Sequence, residues 1–157
     1  KEENIRVRGY VSTAFVCPYE GEIKAEKALS IIEQLLDVGC YEVSIGDTIG
    51  KANPKDVGAL MKLLDQKDLI SKVAGHFHDT YQKAVSNVLE CLEWGVSTFD
   101  SSAGGIGGCP YAPGAKGNVS TEPLVQTFDR MGIQTGIDLS ELKKATQAIA
   151  RMIRPDA

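Results

Sequence analysis

No apolar run in this chain of 157 residues approaches the roughly 20 residues of a membrane-spanning helix, and no signal-peptide pattern opens it. We therefore expect neither a membrane partner nor an oxidising compartment. Clustered basic charge is missing too. The 17 Lys and Arg residues are interspersed with 21 Asp and Glu for a net charge of −4, which argues against nucleic acid as a partner. The four cysteines, Cys17, Cys40, Cys91 and Cys109, form no C-x-x-C pair and no zinc-finger spacing, so free thiols are expected, with Cys40 and Cys91 buried. Neither G-x-G-x-x-G after a strand nor a P-loop occurs, so no dinucleotide or P-loop binding is signalled. Histidine is scarcest among the groups that carry chemistry: there are 2.

Those two histidines stand one residue apart, in Gly75-His76-Phe77-His78-Asp79, behind the short apolar run Ile70 to Ala74. If that run is a β-strand, side chains alternate faces, so His76 and His78 point one way and Phe77 the other. Two neutral imidazoles converging from one strand make half of a divalent-metal site. The alternative for an isolated H-x-H is a pair of hydrogen-bonded structural histidines. Their place where the strand runs out into a loop favours ligands.

The rest of the chain alternates strand-like and helix-like segments. Val7 to Phe15 reads as a strand, and Lys24 to Val38 as an amphipathic helix with Ala28, Ile31, Ile32 and Leu35 on its apolar stripe. Gly39 suits a helix C-cap, and Tyr41 to Ile45 reads as the second strand. Asn53-Pro54 opens a helix to about Leu64, with an N-cap followed by proline at the first helical position. Val73 to His78 is the third strand. Tyr81 to Trp94 is a helix with Val85, Val88, Leu89 and Leu92 inward, and Val96 to Asp100 is the fourth strand. Thr121 to Met131 is helical, and Asp138 to Glu141 has the form of a capping box opening a last helix to about Ile153.

Repeated βα units demand a parallel sheet. It can be an open doubly wound sheet or half of a (βα)8 barrel. Each strand ends in a polar, glycine-bearing segment, the place where barrels collect their chemistry, so we expect the barrel. A whole barrel takes about 250 residues. This chain has room for half: about four βα units and a C-terminal helix, one partial domain over residues 1–157.

Three more positions carry candidate chemistry. Asp47, just past the second strand, can orient a ligand, act as a base, or cap the loop backbone. The loop from Gly104 to Asn118 is rich in glycine and carries Cys109, the pattern of a hinged lid that delivers a thiol on closure; the alternative is a surface loop with an incidental cysteine. Asn118 is by default an N-cap, but its amide oxygen also suits a hard cation. Lys51 and Lys116 lie near strand-end loops, where solvation explains them.

The segments Arg8-Gly9-Tyr10-Val11-Ser12, Cys17-Pro18-Tyr19-Glu20-Gly21, Gly39-Cys40-Tyr41-Glu42, Gly46-Asp47-Thr48-Ile49-Gly50, His76-Phe77-His78-Asp79-Thr80-Tyr81 and Gly107-Gly108-Cys109-Pro110-Tyr111-Ala112 together resemble the hydroxymethylglutaryl-CoA lyase family. The match continues through Gly117-Asn118 and Thr121-Glu122 and covers nearly the whole chain. The related isopropylmalate and homocitrate synthases share the barrel and the paired histidines but lack the Gly-Gly-Cys-Pro-Tyr loop.

The resemblance implies a metal-dependent (βα)8 lyase that splits 3-hydroxy-3-methylglutaryl-CoA into acetyl-CoA and acetoacetate, a step of leucine degradation and ketone-body formation. It implies His76, His78 and Asn118 as ligands of a divalent cation, magnesium or manganese. It further implies that Cys109 acts in proton transfer, that Asp47 and His76 are catalytic, and that Ser44 contacts substrate. The family's first strand carries an arginine-aspartate pair, and no strand–helix unit precedes Val7 here. We therefore expect strands five to eight of the barrel, inactive alone, and paired with a missing N-terminal half or with a second copy. The alternatives are a metal-binding or assembly fragment and a lyase for a related 3-hydroxyacyl-CoA. The expected compartment is the bacterial cytoplasm or the mitochondrial matrix.

Overall fold

The computed structural model describes residues 5–108 and 117–153. Four strands, β1 (Arg8–Val11), β4 (Glu42–Asp47), β5 (Val73–Phe77) and β6 (Phe99–Asp100), form one sheet in the order β1-β4-β5-β6, every pair parallel. This spatial order follows the chain, with no reversal. A doubly wound sheet reverses its strand order at a switch point; a barrel does not. The crossover helices α1 (Ala25–Asp37), α2 (Pro54–Asp65) and α3 (Ala84–Glu93) pack in sequence, α1 on α2 and α2 on α3. That is the singly wound half-barrel expected from the repeat.

Curvature shows in one contact. Arg8 on β1 reaches Asp100 on β6 at 2.7 Å. A flat sheet would hold strands three places apart at about 14 Å, further than these two side chains bridge together. The sheet is therefore curled, and these residues lie on its concave side.

The register sorts every strand residue onto one face. Arg8 pairs with Glu42, Tyr10 with Ser44, Gly46 with His76, and His76 with Asp100. Neighbours in register share a face, so this polar set lines the concave side. The alternate set, Val11, Val43, Ile45, Val73, Phe77 and Asp47, faces the helices and, Asp47 apart, belongs to the main hydrophobic core.

Some expected boundaries shift. The first strand ends at Val11, because Thr13 takes a positive φ of 54° and turns the chain. An antiparallel hairpin follows, β2 (Val16–Cys17) with β3 (Gly21–Glu22), where the sequence suggested a single strand to Phe15. Two apolar stripes are also rotated. In α1, Ala28, Leu29 and Ile32 are buried while Ile31 is exposed. In α3 the buried face is Ala84, Asn87, Val88 and Cys91. Polar Asn87 sits at its centre because its amide donates to the Ala52 carbonyl at 3.0 Å. Cys91 is buried as expected, whereas Cys40 is only partly so.

The cap expected on α2 is present in full, Asn53 and Asp56 each accepting from the other's backbone. Two helices complete the chain, α4 (Thr121–Arg130) and α5 (Leu139–Ile153). The Asp138 carboxylate caps α5 by accepting from the Ser140 and Glu141 amides at 2.7 and 3.2 Å. Glu141 pairs with Lys144 rather than completing the box. No helix among the described residues is long and apolar enough to cross a membrane.

Candidate active site

The strand period brings the two histidines together as expected. His76 is the penultimate residue of β5, and His78 lies just beyond its end, where it bridges to Asn118. Their ring centroids are 5.5 Å apart, while Phe77 points into the core and stacks on Phe15. Both rings border a cleft of about 490 Å³, also lined by Tyr10, Gly46, Thr48 and Gly108. Cys17, Pro18 and Tyr19 of the hairpin complete its wall. The unexpected β2–β3 hairpin thus walls the mouth of the concave face.

The two imidazoles have different surroundings. His76 Nδ1 lies 3.2 Å from Asp100 Oδ2. His78 is 7% exposed, and its Nδ1 is buried without a hydrogen bond among the described residues. Burial first, and then the neighbouring His76, lower the pKa of His78, against hydrogen bonds with Thr48 and Asn118 that raise it. Asn118 does not cap α4, whose N-cap is Ser120. Its Nδ2 donates to the Ile106 carbonyl at 3.0 Å, and its side chain also hydrogen-bonds the His78 ring. The glycine loop is pressed against this amide: a Cβ at Gly107 would sit 2.6 Å from Asn118 Nδ2.

An orphaned buried imidazole nitrogen, a second imidazole backed by a carboxylate, and the Asn118 amide beside His78 make a mixed nitrogen and oxygen donor set. It fits a divalent cation, though incompletely. Among the described residues, no group of three or more His, Cys, Asp and Glu side chains is placed to hold an ion.

Asp47 lies elsewhere. It ends β4 on the helix-facing side, 1% exposed, with Oδ1 accepting from Lys51 N and Oδ2 from Ala52 N, both at 3.1 Å. Burial pushes its carboxyl up to about 6 against these backbone hydrogen bonds, which lower it. Of the three roles open to it in the sequence, this placement matches the cap on the loop after β4. Ser44 is on the concave face but fully buried, and its hydroxyl donates to Asp100 Oδ2 at 2.7 Å. Cys109 lies outside the described residues.

A network missing from the sequence reading underlies the histidines. Asp100 accepts from Arg8, Ser44 and His76. Burial alone would raise its carboxyl, but these hydrogen bonds and the Arg8 charge outweigh it and hold the group at about 2. Arg8 also donates to Glu42 at 2.7 Å and to the Tyr10 hydroxyl at 2.9 Å, and its Nη2 is buried without a partner among the described residues. One signal was available: Asp100, like Asp47, is a carboxylate at a strand tip.

The model of the HMGL-like family matches residues 3–149. The hydroxymethylglutaryl-CoA lyase of Pseudomonas mevalonii is 43% identical over 152 residues, which is 97% of this chain and 50% of that protein. The human mitochondrial hydroxymethylglutaryl-CoA lyase is 45% identical over 150 residues, 96% of this chain and 46% of that one. The crystal structure of the HMG-CoA lyase from Brucella melitensis superposes with a TM-score of 0.92 at 42% identity, covering 99% of this chain and 54% of that chain. The chain therefore spans about half the length of the relatives it matches. With nearly every residue from the first strand to the last helix aligned, and with the singly wound sheet shared, this chain belongs to the HMGL-like family.

Proposed function

We propose that residues 1–157 form one partial domain, the second half of a (βα)8 carbon–carbon lyase that converts 3-hydroxy-3-methylglutaryl-CoA to acetyl-CoA and acetoacetate. The observation that carries this reading is the pair of imidazoles with Asn118, gathered at the C-terminal strand tips beside an open cleft. His76, His78 and Asn118 would hold a magnesium or manganese ion. Bound there, the ion supplies Lewis acidity that lowers the pKa of a substrate hydroxyl.

The chemistry needs two proton movements. The tertiary hydroxyl gives its proton to a base contributed by the other half of the barrel, and its oxygen becomes the ketone of acetoacetate as the carbon–carbon bond breaks. The bonding pair passes to the acetyl-CoA enolate, which takes a proton at carbon. We assign that second proton to the Cys109 thiol, on the loop rooted beside Asn118. His76 has one nitrogen on Asp100 and one left over, so it serves as a ligand or as a base, not both at once. The ligand role follows from its pairing with His78. In this reading Asp47 acts by holding the loop after β4, and Ser44 acts through Asp100.

The other half of the barrel would come from a further segment or a second copy. The two sheet edges, β1 and β6, are where it would attach. Acyl-CoA is the substrate class, and the compartment is the bacterial cytoplasm or the mitochondrial matrix. Calorimetric titration with Mn²⁺ tests the site. Binding that survives replacement of both His76 and His78 by alanine refutes the ligand assignment. Lyase turnover with magnesium by these 157 residues alone would show that no second half is needed.

A further inference from the structure

We propose that Asp100 is a positioning residue, which fixes the ring and the tautomer of His76 while Arg8 and Ser44 immobilise its carboxylate. The inference rests on the reading of His76 as a metal ligand.

The geometry is specific about donors. Asp100 Oδ1 accepts from Arg8 Nη1 at 2.7 Å. Oδ2 accepts from Ser44 Oγ at 2.7 Å and faces His76 Nδ1 at 3.2 Å. An ionised carboxylate can only accept, so the proton between Oδ2 and the ring belongs to His76 Nδ1. In the neutral ring Nε2 then keeps its lone pair. An imidazole that gives Nδ1–H to a carboxylate presents a bare, more basic Nε2 in a set direction, the arrangement that supports histidine ligands in many metal sites.

The sheet makes this contact hard to lose. His76 and Asp100 are register partners on adjacent strands, so they share the concave face by construction. The carboxylate is then held from two further strands: Arg8 reaches it from β1 across the curl, and Ser44, fully buried, reaches it from β4. With donors from three strands on its two oxygens, Asp100 has little freedom to rotate. His78 has no carboxylate partner of this kind among the described hydrogen bonds and leaves a buried nitrogen unpaired. The two rings are thus unequal: one is oriented by a carboxylate, the other by Thr48 and Asn118, with no carboxylate behind it. The competing account makes Asp100 a strand tie whose purpose ends with the Arg8 ion pair.

The tautomer separates the two accounts. In the metal-free protein, ¹⁵N NMR of the imidazoles should show His76 in the Nδ1–H form, its signals identified by their loss in His76→Ala. In Asp100→Asn the ring should become a mixture of tautomers, and Mn²⁺ affinity, followed by EPR, should fall about 10- to 100-fold. A wild-type His76 carrying its proton on Nε2 overturns the proposal, and this measurement does not depend on any variant folding. So does a folded Asp100→Asn that binds Mn²⁺ within threefold of wild type. If His76→Ala itself leaves Mn²⁺ affinity unchanged, the ligand reading fails instead, whatever the tautomer.

Discussion

Replacing Asp47 by asparagine exchanges one carboxylate oxygen for an NH2 group at a point where backbone N–H groups converge. Lys51 N and Ala52 N donate to the two oxygens at 3.1 Å each, so the amide satisfies one donor and opposes the other. That loss sets a constant offset of about 1–3 kcal/mol. The dependence on pH is the sharper test. Burial raises the Asp47 pKa from 3.8 to about 6 in the folded protein. A carboxyl whose folded pKa is raised stabilises the fold below its unfolded pKa and loses that contribution as pH rises through the folded one. Two pKa units correspond to about 3 kcal/mol. The stability difference, wild type minus Asp47→Asn, should therefore fall by about 3 kcal/mol as pH rises from well below 3.8 to above about 6, with half of the fall reached at about pH 5, between the unfolded and folded values. Urea unfolding followed by the fluorescence of Trp94, the 1 tryptophan of the chain, measures both proteins at each pH. Titrations of other carboxylates are common to the pair and cancel. A difference that stays flat, or that grows with rising pH, would refute the placement of Asp47 as a desolvated cap. It would restore the alternative of a carboxylate facing a ligand or a cation.

Three further outcomes follow from single contacts. Asn53→Ala removes the side-chain acceptor of the Lys55 and Asp56 backbone amides, while the residue-53 N–H still donates to Asp56, and should lower stability by about 1 kcal/mol in the same assay. Gly75→Ala would place a Cβ 2.8 Å from Phe77 and 3.0 Å from Phe99, so overpacking should cost about 1–3 kcal/mol, read as a drop in Tm. Cys91 is 1% exposed and its thiol is pushed up to about 12 by burial. At pH 8 a thiol reagent should label it only as fast as the protein unfolds, and rapid labelling in the native state would contradict its burial.

The residues that drifted from their expected roles did so for one kind of reason. Asn87 hides the phase of α3 because hydrophobicity alone does not mark a core asparagine whose partner, the Ala52 carbonyl, is 35 residues away. Arg8, Glu42 and Asp100 have no stated chemical role in the sequence until the sheet curls and brings residues 92 apart within 2.7 Å. Asp47 looks like a second strand-tip functional group by position. Its face, however, is set by the register of β4 against β5, where it pairs with Phe77 and not with His76.

Local order was legible in the chain alone. Strand alternation aimed His76 and His78 at one place, and helical spacing with Asn53-Pro54 at an N-terminus marked the crossovers. The strand-tip glycines and polar residues pointed to a barrel. These are properties of a few neighbouring residues, and backbone geometry transmits them directly. Tertiary structure decided what stands behind and opposite them. It placed the carboxylate under His76, turned Asp47 toward the helices, buried Ser44, and set the hairpin against the cleft. Each depends on register and curvature, which arise only when distant strands pair, and no local window of the sequence contains them.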